Sequence, residues 1–277
     1  MKVRVINEVA DAKTIEQMLI AMFKQEYAQF KVVTTGSVNK QYILYKELDV
    51  PNIRKVGDID IDINEKETET SLIDLLNFLD NTIKLFNEQN GTKYVLRRTE
   101  DVIARHKVIK NEAVLHVRAS IKNPENNYLE ILHLDIELRL HKDVITIKNL
   151  NGIEIKGEPL ENYIVRKLLI LTDVNGNIGR ISKDIIDLND ILRDTPIAIS
   201  ADKLVMLMKS LNFPRNKFNQ YKKKEILKLI KRLYNNDVGK NDKFEVAIKR
   251  VLNFIEPLMT FQGDKYDKWE NGEWILK

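Results

Sequence analysis

The chain has 277 residues, 43% of them hydrophobic and 31% charged, with a net charge of +4. That length buries a core in one large domain or two modest ones, and the composition is that of a globular chain, not a collagen-like, low-complexity or disordered one. There is no cysteine, so disulfides, Cys-based zinc sites and a Cys nucleophile are excluded. The segment Met1-Lys2-Val3-Arg4-Val5-Ile6-Asn7-Glu8 has no apolar signal core. No apolar run approaches the roughly 20 residues of a bilayer span, so a cytoplasmic protein without a membrane partner is expected.

The charge is unevenly spread. Between Lys203 and Arg232 there are ten Lys or Arg and one acid, Glu225, a local +9 that leaves −5 for the rest of the chain. Such a segment suits a polyanion, and it equally suits a solvated helix face.

In chain order, residues 11–30 show helical spacing through Ile15, Met18, Leu19, Met22 and Phe23. A short apolar strand, Val32 to Thr35, leads into Gly36-Ser37, and residues 38–57 read as a connector with room for one helical turn or two around Tyr42, Ile43 and Leu44. Residues 58–63 alternate Asp and Ile with a period of two, which predicts a strand. Helical periodicity returns over 71–87 and stops at the Asn90-Gly91 turn. Strand-like runs follow at 94–98, 102–109, 113–121 and 129–140, then at 144–148 and 153–156. Along the fourth of these, Leu132, Leu134, Ile136, Leu138 and Leu140 share one face, while His133, Asp135, Glu137 and Arg139 share the other.

Past Gly157 the pattern turns helical. Pro159 suits a helix first turn reaching about Leu171, and helices are expected near 183–193, 201–211, 217–235 and 243–256. The expected fold is α+β: residues 1–157 form a mixed β-sheet domain with flanking helices, and 158–277 form a helical domain.

Asp58, Asp60 and Asp62 carry the strongest chemical signal. Like charges on one strand face repel and resist ionisation unless something neutralises them, and a hard divalent cation does so. Taken alone, the acids also fit a charged edge strand. A calcium loop is argued against, because Ile63 stands where its turn needs glycine. Gly36 permits close backbone approach to a phosphate, and the Ser37 hydroxyl is suited to bonding one. Asp135, with Glu137 on the same face, offers a further carboxylate to complete a metal pair or to take a proton from an attacking hydroxyl. His106, His116, His133 and His141 show no ligand spacing and read as structural or surface; His133 alone stands out, two residues from Asp135 on its face. Tyr221 with Lys222-Lys223-Lys224 is compatible with stacking on or clamping RNA.

A strand ending in Gly-Ser, a strand of alternating acids and a later strand bearing one more acid is the pattern of polymerase-beta-like nucleotidyltransferases. Within that superfamily the chain resembles the nucleotidyltransferase toxins of the AbiEii/AbiGii abortive-infection type. The resemblance rests on Gly36-Ser37, on Arg54 ahead of Asp58-Ile59-Asp60, on Asp135, and on Lys167 followed by Lys183-Asp184-Ile185-Ile186-Asp187-Leu188. The chain departs from the family in a longer link from Gly36 to Asp58, in Val38 after Ser37, and in Val56 between Arg54 and Asp58. A frame with Asp60 and Asp62 as the ligands stays open.

The resemblance implies a metal-dependent transfer of NMP from an NTP to an acceptor. Asp58, Asp60 and Asp135 would bind Mg²⁺ (or Mn²⁺). Gly36, Ser37, Arg54 and Lys167 would bind the nucleotide, and Asp184 or Asp187 would orient Lys167 or the acceptor. It implies an RNA acceptor, tRNA included, or a protein acceptor, and the toxin of a type IV toxin–antitoxin or phage-defence system with a cognate antitoxin. The competing expectation is a non-catalytic module of the same fold that binds RNA or a protein partner.

Overall fold

A computed structural model describes residues 11–45, 56–65, 70–109, 112–141, 144–149, 152–171, 178–194, 197–211 and 243–277. Contacts divide the chain into two units, Met1–Ile43 with Lys55–Glu158, and Leu44–Arg54 with Pro159–Lys277.

In the first unit, period-two alternation sets the strands. Ile59, Ile61 and Ile63 of β2 (Ile59–Ile63) are buried, as are Leu132, Leu134, Ile136 and Leu138 of β5 (Leu129–Leu138). Each such side chain contributes about 1.5–3 kcal/mol relative to exposure. With β1 (Val32–Thr34), β3 (Val102–Ile109), β4 (Glu112–Asn123), β6 (Ile145–Asn149) and β7 (Ile153–Gly157), they form a seven-stranded sheet of order β3-β4-β5-β2-β1-β7-β6. The sheet is mixed: β2/β5 and β1/β7 run parallel, and the other neighbours run antiparallel.

The expected helix over 11–30 is broken in two, α1 (Ala12–Phe23) and α2 (Glu26–Lys31). The break falls at Gln25, whose amide donates 2.6 Å to Thr82 Oγ1, a tertiary bond that local periodicity does not show. The helical turns expected inside the connector are present and begin earlier, at Gly36. A short α3 (Gly36–Asn39) runs on into a wide turn of π-helix, Lys40–Leu44. Its Asn39 donates to the Glu158 carbonyl, and a Cβ on Gly157 would overlap the Asn39 side chain, so Gly157 is what lets this helix close on β7. Helix α4 (Leu72–Asn90) starts at a Ser71/Asp74 capping box and stops at left-handed Gly91, devices worth about 1 kcal/mol each at a helix end.

The expected strand at 94–98 is reduced to one bridge, Val95 with Lys122. Its residues serve other contacts: Tyr94 stacks on Phe86, and Arg97 pairs with Asp101. Asp101 is buried between Arg97 and Lys122. Burial pushes its carboxyl up, but the hydrogen bonds from those two cations outweigh it and hold it at about 2. A depressed carboxylate stabilises the fold above its unfolded pKa near 4, and that stability is lost as pH falls through about 2; the shift corresponds to about 2 kcal/mol. Asp101→Asn is therefore expected to lower the melting temperature at neutral pH and to flatten the acid limb of stability against pH. An acid limb identical to that of the unaltered protein would contradict the account.

The second unit contains α5 (Leu160–Leu171), α6 (Ile178–Asp194), α7 (Ala201–Ser210) and α8 (Lys243–Met259). The helical expectation needs one addition here. Strands β8 (Ile199–Ser200), β9 (Tyr266–Glu270) and β10 (Glu273–Leu276) form an antiparallel sheet. It is stapled to α8 by aromatic packing: Trp274 stacks on Phe254 at 5.0 Å, and Trp269 meets Phe254 edge-on. The expected helix at 217–235 lies outside the described residues. Among the described residues no helix is long and apolar enough to cross a membrane.

Candidate active site

Strand β1 delivers the glycine turn against the acidic strand. Thr35 N donates 3.0 Å to the Asp60 carbonyl, which locks the turn to β2. Gly36 takes a left-handed φ of +59°, and a Cβ built on it would overlap Asp60 Oδ2 and stand 3.0 Å from Asp60 Cγ. The backbone thus lies against a carboxylate, a position open only to glycine. The next residue meets the next acid: Ser37 Oγ points at Asp58 Oδ1 over a long 3.5 Å. The two-residue turn therefore touches both Asp58 and Asp60.

Asp135 reaches the same place through the sheet. Parallel pairing of β2 with β5 sets Asp60 opposite Asp135 and Asp62 opposite Glu137. Antiparallel pairing of β5 with β4 then sets Asp135 opposite Arg118 and Glu137 opposite His116. Two polar rows thus cross three strands, Asp60–Asp135–Arg118 and Asp62–Glu137–His116.

Asp62 differs from its neighbours. It is buried and accepts from or shares a proton with His141 Nε2 at 2.8 Å, while the His141 amide bonds Asn64 Oδ1. Asp58 and Asp60 are partly exposed.

The charge on Asp135 is answered by Arg118, whose Nε and NH2 donate to the two carboxylate oxygens at 2.9 Å each. Burial pushes the Asp135 carboxyl up, but the fork from Arg118 outweighs this and keeps it below the usual carboxylate range. The pairing holds the guanidinium proton more tightly, and the charges of Asp60 and Asp58 add to that. Beside them, buried His116 takes a hydrogen bond from Lys107 Nζ at Nδ1, 2.9 Å, so its own proton belongs on Nε2, which lies 3.3 Å from Asp135 Oδ1. Burial first, and then the Lys107 charge, lower the His116 pKa, so the ring is neutral at pH 7. Lys107 also bonds Glu137 at 3.1 Å.

Arg118, Lys107 and His116 were not singled out from the sequence, and the register corrects the emphasis on His133. That residue pairs with Ser120 and Glu130, and His116 is the histidine at Asp135.

The donor chemistry fits a hard divalent cation. Asp58 and Asp60 supply carboxylate oxygens beside a cradle that a Cβ would fill, and Mg²⁺ needs only one or two carboxylates when substrate phosphates complete its shell. Among the described residues no three acidic or His side chains stand together ready to share one metal; Asp135 turns its oxygens to Arg118 instead.

In the second unit, Lys167 of α5 donates 2.6 Å to Asp184 and 3.1 Å to Asp187, one turn apart on α6. Both carboxylates are buried, and the ammonium lies 5.2 Å from the Tyr163 ring centroid. Burial lowers the Lys167 pKa, but Asp187 and Asp184 outweigh it and raise the pKa above the ordinary lysine value. Both acids thus bond to Lys167. Arg54 and the run Tyr221-Lys222-Lys223-Lys224 lie outside the described residues.

No family model matches the chain, and no curated protein matches it in sequence. Among solved structures, one described as a candidate nucleotidyltransferase from H. pylori superposes with a TM-score of 0.51 at 16% identity, over 92% of this chain and 96% of its own. JHP933 from Helicobacter pylori gives a TM-score of 0.43 at 17% identity, over 92% and 94%. With the first of these the chain shares its α+β fold.

Proposed function

We propose that the chain is a metal-dependent nucleotidyltransferase. The observation that carries this is the joint placement of Gly36 against Asp60, Ser37 toward Asp58, and Asp135 in register with Asp60. Asp58 and Asp60 hold Mg²⁺ (or Mn²⁺), and Asp135 completes the set. Burial of Asp62 on His141 favours this frame over one using Asp60 and Asp62. A divalent cation held there supplies neutralisation of the NTP triphosphate and of the leaving pyrophosphate. Gly36 and Ser37 receive the terminal phosphates. The family resemblance assigns nucleotide binding to Arg54 and Lys167 as well, the lysine as a point charge. The acceptor hydroxyl attacks the α-phosphorus and gives its proton to solvent, and the bond to the pyrophosphate oxygen breaks in line. The lowered pKa of Asp135 suits a ligand better than a strong proton acceptor.

For the biology, we infer an RNA acceptor, tRNA included, or a protein acceptor, and a cytoplasmic toxin of the type IV toxin–antitoxin or abortive-infection kind acting with an antitoxin. The AbiEii/AbiGii-like motifs and the 203–232 basic segment support that reading. One observation favours a second reading, a non-catalytic module of this fold that binds RNA or a protein: Asp135 is bound by Arg118.

Calorimetry separates the two. The enzyme reading expects NTP binding that requires Mg²⁺ and is lost in Asp58→Asn. RNA binding that weakens with salt and ignores Asp58, without Mg²⁺-dependent NTP binding, would establish the module instead.

A further inference from the structure

Arg118 belongs to no part of the proposed reaction, yet among the described residues it is the cation that forks onto Asp135. Its fork closes on both oxygens of Asp135, and Asp58 and Asp60 add to the negative field around it. It lies in the cross-strand row Asp60–Asp135–Arg118, and its side chain is 43% exposed, so it can leave Asp135 without opening the core. Buried His116, bonded by Lys107, lies beside the same carboxylate, with Nε2 3.3 Å from Asp135 Oδ1.

We propose that Arg118 is the resident counter-ion of this site, and that a divalent cation entering at Asp58 and Asp60 competes with it for Asp135. Arg118 is thus a positioning residue: its fork keeps Asp135 aimed while no cation is bound, and it sets a threshold for loading. Exchange frees the guanidinium beside the incoming triphosphate, whose oxygens match the same fork. This inference rests on the assignment of Asp58 and Asp60 as cation ligands.

The test is Mn²⁺ binding to the full chain, followed by electron paramagnetic resonance with no nucleotide present. Arg118→Gln and Arg118→Ala are compared with the unaltered protein, and thermal melting verifies that each is folded. Both variants are expected to bind Mn²⁺ about tenfold more tightly, from loss of the competing fork and of cation–cation repulsion. Arg118→Lys, which keeps the charge but not the fork, should fall between. In an Asp135→Asn background the gain from Arg118→Gln should shrink. A purely structural Arg118 predicts equal or weaker Mn²⁺ binding in the variants, and that result overturns the inference. Asp58→Asn is the separate control. If it leaves Mn²⁺ binding of the unaltered protein unchanged, the cation site itself is wrong; if it abolishes binding and the Arg118 variants bind no tighter, only the counter-ion role falls.

Discussion

Gly36→Ala is expected to fold and to lose Mg²⁺-dependent nucleotide binding by tenfold or more. Two effects combine at this residue. The left-handed φ of +59° costs an alanine about 1–2 kcal/mol, which for a chain of this size lowers the melting temperature by a few degrees. The new Cβ would also overlap Asp60 Oδ2 and stand 3.1 Å from Asp60 Cβ, so the carboxylate must rotate out of its place. Asp60 sits on a strand paired on both sides and cannot move as a backbone to relieve the contact. The loss of binding should therefore exceed what the small loss of stability explains. Ser37→Ala is the comparison: it removes only a hydroxyl at 3.5 Å and should leave stability nearly unchanged. Isothermal titration and thermal melting on the two variants measure both effects. Nucleotide binding by Gly36→Ala equal to that of the unaltered protein would contradict the placement of Asp60 in the site.

Lys167→Met should be the most destabilising single change among the residues discussed. The side chain keeps much of its length and apolar contact, but Asp184 and Asp187 lose the ammonium that both of them bond. Their side chains are 4% and 1% exposed, so water cannot replace the cation. Removing one partner from a buried ionic cluster costs about 3–5 kcal/mol. The raised pKa of Lys167 fixes the pH window: its stabilisation is complete below the unfolded lysine value near 10.4 and is lost only as pH rises through the folded value, so a melt at pH 7 sees the full effect. Adding Asp184→Asn and Asp187→Asn to Lys167→Met should recover part of the loss, because neutral amides tolerate burial better than carboxylates that have lost a bonded cation. The measurement is thermal unfolding, with hydrogen exchange in α5 and α6 to place the change in the second unit. An unchanged melting temperature would show that Lys167 is not the counter-charge of this pair.

Much of the sheet was legible because its strands alternate. The Ile and Leu positions of β2 and β5 have a period of two, and the buried faces follow it. Pairing was not legible in the same way. That β2 runs parallel to β5, and so sets Asp60 beside Asp135, depends on the order of strands across the sheet, which no local pattern encodes. Arg118 and His116 were missed although a signal existed. His116, Arg118, Ser120 and Lys122 alternate with Leu115, Val117, Ala119 and Ile121, and only a short turn joins this strand to β5. Continuing the register of that turn would set Arg118 opposite Leu134, and a bulge between Ile121 and Lys122 moves it opposite Asp135. The C-terminal sheet was missed for a plainer reason. Asn271-Gly272, with both residues at positive φ, is the two-residue hairpin signal, and Trp269 and Trp274 flank it. The break between α1 and α2 lay beyond sequence pattern, since it is fixed by Gln25 bonding a helix more than fifty positions away. The closeness of Gly36 to Asp60 is likewise a tertiary fact: Gly-Ser in a sequence is a turn, and only the β1–β2 pairing makes it part of a site.

The central claim is nucleotidyl transfer at Asp58 and Asp60. Its most direct test is to incubate the full chain with each α-labelled NTP, Mg²⁺ and total RNA, and to follow label appearing in RNA or protein. The account predicts metal-dependent labelling with at least one NTP, and its loss, by three orders of magnitude or more for removal of metal-ligand charge, in the folded double variant Asp58→Asn, Asp60→Asn. Labelling that continues undiminished in that variant would contradict it.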